Sequence, residues 1–366
     1  MIQVWSYLNE LADEETEIKE AIDRVLHSGT LILGESVSSF EREFAAWCGL
    51  KHGVGVNSGT DALFLALKAY GIGAGDEVIT VPNTAVPTVS AIVATGARPR
   101  FVDVNGETAL MNTESLEAVR TGRTRAVLPV HLYGQCVDMK SVLNFAKKNE
   151  LMVLEDCAQS HGAKQNGTMA GAFGHLAAFS FYPTKILGGY GDGGMVLANR
   201  AEDAEKLKRL RFYGMSGTYY SIEVGWNSRL DELHAAILRT KLTHLNAYVS
   251  RRRELARRYD EALAETGLGL PIEADGNYHA YYLYVVRHPE RDRLMSYLKE
   301  NGIHVNISYP WPIHVMPAYA SLGYKEGDFP VAERLAKEIF SLPMYPSLRD
   351  EDQEMVIRTL KKALRH

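Results

Sequence analysis

Apolar positions change period along this chain, and the changes mark its elements. In residues 15–27, ETEIKEAIDRVLH, Ile18, Ile22, Val25 and Leu26 recur at helical spacing. A second helical stretch, SSFEREFAAWCG, ends on a glycine, a common helix stop. HGVGV then reads as a short strand, followed directly by the helix NSGTDALFLALKAYG, with Asn57 or Ser58 placed to cap it. The alternation continues with DEVITVP (76–82) as strand, TVSAIVATG as helix, RPRFVDV and RAVLPVHLYG as strands, MKSVLNFAKKNE as helix, and LMVLED, HLAAFSF and GGMVLAN as strands. Strands alternating with helices predict an α/β fold: a three-layer domain around a mainly parallel, mixed sheet covered on both faces. Such sheets bind ligands at the carboxyl ends of their strands.

The pattern changes near Asp231. DELHAAILRTKLTHLNAYV carries an apolar stripe at Leu233, Ile237, Leu238, Leu242, Leu245 and Val249, and leads into RRRELARRYDEALAETG. One long helical stretch is expected there, connecting two domains. Beyond it, YYLYVVR, RDRLMSYLKENG, IHVNISY, PVAERLAKEIFSLP and DEDQEMVIRTLKKAL form a smaller α+β set. The boundary is placed near residue 245, giving a large domain over 1–245 and a small C-terminal domain over 246–366.

Composition narrows the function classes. The chain has 366 residues and a net charge of −5, so no basic surface points to nucleic acid. The basic runs Lys206–Arg211 and Arg251–Arg253 read as solvated helix faces. Three cysteines, none in a C-x-x-C pair, fit a reducing compartment and argue against a disulfide framework or a metal site. The acidic start lacks a long apolar stretch and no run is long enough to cross a membrane, so a soluble cytoplasmic protein without signal peptide or membrane partner is expected.

The stretch FSFYPTKILGGYGDGG (179–194) holds the first candidate chemistry. Gly189, Gly191 and Gly194 spell G-x-G-x-x-G. A dinucleotide turn needs a strand immediately before the glycines and a helix after them. Here Pro183 and Lys185 intervene and the strand-like MVLAN follows, so a nicotinamide enzyme is rejected. The glycines are instead expected to let the chain turn tightly after Lys185 and leave room for substrate. Upstream, LMVLED sets Asp156 at a strand end, and Ser58, Gly59 and Thr60 open a helix, where free N–H groups and the helix dipole favour a phosphate. Singly, each has an ordinary reading: a solvated lysine, a helix-capping aspartate, plain serine capping. Together, a lysine for a Schiff base, an acid for a pyridine nitrogen and a phosphate site match one cofactor, pyridoxal 5'-phosphate.

The chain also resembles the DegT/DnrJ/EryC1/StrS family of aminotransferases, within the aspartate aminotransferase superfamily (fold type I), over nearly its whole length. The resemblance rests on LILGESVSSFEREFAAWCG, VNSGTDALFLAL, GARPRFVDV, EDCAQSHGA, SFYPTK, GWNSRLDELHAAIL, YPWPIHVMPAY and FSLPMYP. It implies transfer of an amino group from an amino acid, L-glutamate, to a nucleotide-linked keto-sugar. By resemblance, Lys185 is the Schiff-base lysine, Asp156 the acid at the pyridine nitrogen and Gln159 the amide near the ring hydroxyl. Ser58, Gly59, Thr60 and Ser180 fall where the phosphate is held. Asn227 matches an asparagine reaching the neighbouring subunit's phosphate, which implies a homodimer with shared sites; alone it would read as a turn residue. Tyr309 and His314 fall on the sugar side, though a histidine flanked by prolines is by itself a loop residue. Ala85 stands where the family usually stacks an aromatic residue on the cofactor ring, and Cys157 where alanine is common. YPWPIH followed by MPAYASLGY is closer to relatives that aminate C3 of dTDP-linked 6-deoxy-keto-sugars than to C4 enzymes. A cyclitol aminotransferase and a catalytically silent regulator on the same fold stay open. A sugar dehydratase, whose family form has histidine in place of the lysine, is disfavoured by Lys185.

Overall fold

A computed structural model of the chain describes residues 1–365. Seven strands form the central sheet: β1 (His52–Val56), β2 (Glu77–Thr80), β3 (Arg98–Phe101), β4 (Thr124–Val127), β5 (Met152–Asp156), β6 (Leu176–Ser180) and β7 (Gly194–Ala198). Their order is β1-β7-β6-β5-β4-β2-β3. Strand β7 pairs antiparallel with both neighbours, and the pairs from β6 through β3 are parallel, so the sheet is mainly parallel and mixed, as expected.

Strand periodicity sorts the side chains into two cores. Val54, Val56, Leu176, Ala178, Val196 and Ala198 face one, and Ala177, Phe179, Met195 and Leu197 face the other. Both faces are buried, which is why these strands read as nearly continuous apolar runs. Helices α1 (Leu8–His27) and α2 (Glu35–Trp47) lie on one side. On the other are α3 (Gly59–Ala69), α4 (Val86–Ala94), α5 (Met139–Lys148) and α6 (Ala201–Leu210). A Cβ on Gly53 would lie 2.6 Å from the Glu41 carbonyl oxygen, so glycine there lets α2 settle directly on β1. The helix α7 (Glu232–Leu242) packs on α1 and α2.

The expected single helical stretch after Asp231 is two helices, α7 and α8 (Leu245–Leu263). Between them Thr243 Oγ1 donates to the Thr240 carbonyl at 2.7 Å, and Thr240 Oγ1 to the Ala236 carbonyl at 3.1 Å. Such back-bonding competes with the helical ladder. Leu245, Tyr248 and Val249 of α8 enter the second core, whereas Leu255, Ala256, Tyr259 and Leu263 enter a third. That third core also takes β8 (Tyr284–Arg287) and β9 (Ile339–Leu342), which pair antiparallel, together with α9 (Arg291–Glu300), α11 (Asp350–Ala363) and Ile2 from the start of the chain. Between α9 and α11, helix α10 (Pro330–Glu338) packs against the first core through Ala332 and Leu335.

Two of the basic residues read as solvated are buried. Arg252 is 2% exposed, and its Nη1 donates to the carbonyls of Tyr281, Tyr282 and Met344 at 3.3, 3.1 and 3.0 Å. Desolvation lowers its pKa to about 10. Arg211 pairs with Glu41 and donates to the Gly55 carbonyl at 2.7 Å. Both hold loop or strand carbonyls that the backbone ladder leaves without donors. Among the described residues no helix is long and apolar enough to cross a membrane.

Candidate active site

The site is built at the carboxyl ends of the central strands. Strand β5 is buried throughout and ends on Asp156. Asp156 Oδ2 accepts from Thr88 Oγ1 at 2.8 Å, and Oδ1 accepts from the Ala158 N–H at 3.1 Å. Thr88, on α4, is held in turn by Thr84 Oγ1 at 2.8 Å. Burial pushes the Asp156 carboxyl above the usual carboxylate range. The two hydrogen bonds, and then the charges of Lys185 and His131, offset part of that rise. Among the described residues no cation lies at ion-pair distance from Asp156, so this buried carboxylate is suited to a positively charged ligand atom.

Strand β6 ends on Ser180, beside the start of α3. Ser58 is the N-cap of α3, its Oγ accepting from the Asp61 N–H at 3.1 Å. The N–H groups of that first turn have no acceptor within the helix. A Cβ on Gly59 would lie 2.6 Å from the Ser180 Cβ, and one on Gly194 would lie 2.2 Å from the Ser58 carbonyl oxygen. Glycine at both places lets the helix N-terminus close onto β6 and β7, bringing Ser58, Gly59, Thr60 and Ser180 together. Amide groups and hydroxyls so grouped at a positive dipole end suit an anion such as a phosphate.

Lys185 follows β6 in a tight turn. Its N–H donates to the Tyr182 carbonyl at 2.8 Å, and a Cβ on Gly188 would lie 2.3 Å from the Pro183 carbonyl oxygen. Lys185 Nζ lies over the Tyr282 ring, 4.5 Å from its centroid, and the Tyr282 hydroxyl is 2.9 Å from Thr184 Oγ1. Lys185 is half-buried, its amine held by a ring face, and among the described residues no carboxylate lies at ion-pair distance from it. Nearby, Gln159 Oε1 accepts from the Tyr133 N–H at 2.8 Å, and Nε2 donates to the Tyr309 hydroxyl at 2.6 Å. The rings of Tyr133 and Tyr309 lie nearly parallel, 6.4 Å apart. Both residues have positive φ, +60° and +70°, a conformation that costs a non-glycine residue energy and that concentrates at functional sites. Burial raises the pKa of both phenols well above the ordinary range, so both are neutral donors at physiological pH.

The DegT/DnrJ/EryC1/StrS aminotransferase family matches residues 12–361 of the chain. The chain belongs to that family. It is 53% identical to a dTDP-3-amino-3,4,6-trideoxy-alpha-D-glucose transaminase of Micromonospora megalomicea subsp. nigra, over 99% of this chain and 98% of that protein. It is 45% identical to a pleiotropic regulatory protein of Geobacillus stearothermophilus, over 96% and 95% of the two chains. The crystal structure of Streptomyces venezuelae DesV, in complex with a ketimine intermediate, superposes with a TM-score of 0.98 at 42% identity, covering 100% of this chain and 99% of that one.

In this member of the DegT/DnrJ/EryC1/StrS family, the residues singled out from sequence do not all fall in one place. Lys185, Asp156, Ser58, Gly59, Thr60, Ser180 and Gln159 come together at one end of the sheet, with Tyr309 against Gln159. Both amide groups of Gln159 are engaged by Tyr133 and Tyr309. Ala85 is the N-cap residue of α4, on the segment that carries Thr84 and Thr88. Asn227 is exposed, in a stretch that also exposes Tyr219, Tyr220, Ile222 and Val224, while the adjacent Ser228 Oγ donates to Asn57 Oδ1 at 3.0 Å, beside Ser58. His314 is buried, with Nε2 2.9 Å from Glu333 and its ring against Phe329. Cys157 is buried, consistent with a small packing residue.

Gly188 serves the tight turn expected after Lys185, but the room expected for substrate is filled by protein. Gly191 and Gly194 make room for His234 and Ser58, protein groups rather than substrate, and none of the glycines from Gly188 to Gly194 has positive φ. Sequence reasoning missed Thr88, Tyr133 and Tyr282. Of these only Thr88 carried a local hint, standing just past a proline in the first turns of a helix. His131, Glu155 and Cys157 come close enough to resemble a metal cluster. The Glu155 oxygens, however, accept from the N–H groups of Gly171, Phe173 and Gly174 and from His131, which leaves a structural carboxylate.

Proposed function

We propose that this protein is a pyridoxal-phosphate-dependent aminotransferase that moves an amino group from L-glutamate to C3 of a nucleotide-linked 3-keto-6-deoxyhexose. The observation that carries the reading is the buried, cation-free Asp156 at the same strand ends as Lys185 and the Ser58–Ser180 cradle. These residues fit the cofactor. Asp156 would hold the ring nitrogen and keep it protonated, since a positive charge there offsets the burial that raises the carboxyl. Ser58, Gly59, Thr60 and Ser180 would hold the phosphate, and Lys185 the aldehyde carbon.

When bound, pyridoxal phosphate supplies an electron sink for negative charge at the substrate carbon. Lys185 Nζ then moves the protons: it takes one from the donor's α-carbon in the first half-reaction and delivers one to the sugar carbon in the second. The Tyr282 ring keeps the amine above the site between these steps. The C3 reading is supported by the Micromonospora relative, whose name gives a 3-amino sugar nucleotide. Tyr309 and His314 are assigned to the sugar side, and Asn227 to the phosphate of a second copy in a homodimer. The exposed Tyr219, Tyr220, Ile222 and Val224 around it support that assignment. The large and small domains are taken to meet near residue 245.

The test is to reduce the cofactor-loaded protein with borohydride and map the label. Label on Lys185 and turnover of a dTDP-linked 3-keto-6-deoxysugar with glutamate support the reading. A 4-keto sugar or a cyclitol as the preferred acceptor overturns the C3 assignment. A second reading, a regulator without turnover, is favoured by the Geobacillus relative named as a regulatory protein; absence of any response to amino donors would support it.

A further inference from the structure

The glycines after Lys185 leave a hollow, and the side chain that fills it is His234. A Cβ on Gly191 would stand 2.5 Å from His234 Nε2, and one on Gly189 would stand 3.5 Å from its Cδ2. The ring does not float there. Asp231, the N-cap of α7, uses one carboxylate oxygen for the helix and the other for the ring: Oδ1 accepts from the His234 N–H at 2.8 Å, and Oδ2 lies 3.0 Å from Nδ1.

The loop that rests on this ring is the return arm of the lysine turn. The Lys185 N–H bonds to the Tyr182 carbonyl, the Gly189 N–H to the Phe181 carbonyl, and the Phe181 N–H to the Gly193 carbonyl, each at 2.8 Å. Residues 181–193 are therefore one closed unit, anchored to β6 at its root and to His234 at its far side. The Tyr190 ring adds a lateral hold, 5.6 Å from the Tyr7 ring and 5.2 Å beneath Lys241 Nζ.

We propose that His234 is a positioning residue for Lys185: clasped by Asp231 and set into the hollow at Gly191, its imidazole fixes the return arm and thereby the path on which the amine swings. The proposal rests on the reading of Lys185 as the catalytic lysine. It also carries a pH signature. The Asp231 carboxylate raises the pKa of His234, burial opposes this, and the Tyr190 backbone and the Asp192 charge add to the rise. A folded pKa above the free value means that the charged clasp on Asp231 is complete at low pH. It is lost as pH rises through the folded value.

The test uses hydrogen–deuterium exchange of the cofactor-free protein over residues 186–193, beside steady-state kinetics of the holoenzyme. His234→Ala, which empties the hollow at Gly191, should speed exchange of that segment about tenfold, as expected for a locally weakened segment. It should lower kcat with KM for both substrates nearly unchanged. Gly191→Ala, which displaces the ring without removing it, should give the same pattern. His234→Gln, which keeps a donor but cannot titrate, should restore part of the protection and abolish its fall with rising pH. Unchanged exchange in His234→Ala and Gly191→Ala overturns the proposal whatever the reaction. So does faster exchange with kcat unchanged, because a positioning role must reach the amine. Failure of borohydride to label Lys185 in the unaltered protein would instead overturn the reading of Lys185, and the exchange result would stand independently of it.

Discussion

Replacing Thr88 by valine removes one hydrogen bond from the buried Asp156 carboxylate while keeping the side-chain shape. Thr88 Oγ1 donates to Asp156 Oδ2 at 2.8 Å, and the other donor in contact is the Ala158 N–H at 3.1 Å. A hydrogen bond to a charged group contributes about 1.5–3 kcal/mol. At about 1.4 kcal/mol per pKa unit, its loss should raise Asp156 by roughly one to two units. Asp156 is buried, so little of this is screened by solvent. The sign is fixed by linkage. Burial already holds the folded Asp156 above its unfolded value, so the cofactor-free protein binds more protons here than the unfolded chain. It loses stability as pH rises between those two values, and Thr88→Val extends that interval upward. Cofactor affinity has the opposite sign, since a protonated ring nitrogen is held by the ionised carboxylate. The acid limb of pyridoxal phosphate affinity, measured by absorbance titration across pH, should therefore move up by about one to two units in Thr88→Val and stay in place in Thr88→Ser. An acid limb that is the same in both variants would refute the argument that Thr88 sets the ionisation of Asp156.

Lys185→Ala should lose turnover by about a hundredfold or more, the scale of a positioned acid–base group. It should also incorporate no borohydride label at the active site; label retained at the same level sinks the assignment. Gly194→Ala drives a Cβ to 2.2 Å from the Ser58 carbonyl oxygen, so the α3 N-terminus must move; phosphate and cofactor affinity should fall together, and unchanged inorganic phosphate binding would count against the cradle. Glu232→Ala removes the carboxylate that accepts from the N–H groups of Gly34, Ser36 and Val37 at the start of α2, and should destabilise the protein by about 1–2 kcal/mol in urea unfolding with KM unaffected. Tyr220→Glu should shift gel-filtration elution from dimer to monomer and lower turnover if Asn227 completes the site of a second copy; a monomeric but fully active variant would refute shared sites.

The sheet was legible because both its faces are buried: apolar runs such as LMVLED and HLAAFSF leave little else for the chain to do. The site was legible where chemistry forces a residue type next to a recognisable element, as with Asp156 closing a strand and Ser58 opening a helix. Partners supplied by distant segments were not. Tyr282 reaches Lys185 from the C-terminal part of the chain, and Tyr309, expected on the sugar side by resemblance, comes from there to meet Gln159; no local pattern announces a ring that ends under an amine. The buried arginines failed for the same reason. Arg252 sits in the basic run Arg251–Arg253, which reads as solvated by composition; at helical spacing it falls on the buried face between Val249 and Leu255, where it carries the carbonyls of three residues, Tyr281, Tyr282 and Met344, from two other segments. Periodicity reports which side of a helix is apolar; it cannot report that a cation is needed inside to satisfy a backbone that belongs to no ladder.

The run from Gly188 to Gly194 turns this into a general point about glycine motifs. A glycine pattern states that something comes close to the backbone, and not what comes close. In a dinucleotide turn the visitor is a pyrophosphate, and the helix that follows supplies the dipole that makes the visit favourable. Here β7 follows in place of a helix, so the run opens no helix of its own, and the visitors are the Ser58 carbonyl at Gly194, the Pro183 carbonyl at Gly188 and the His234 ring at Gly191. Two of these are acceptors that would repel a phosphate. The third is a donor whose charge is already matched by Asp231. The same spacing of glycines therefore serves packing and not direct contact with an anion. It packs the lysine turn against its own protein, and leaves the anion to the α3 N-terminus, where the unpaired N–H groups are.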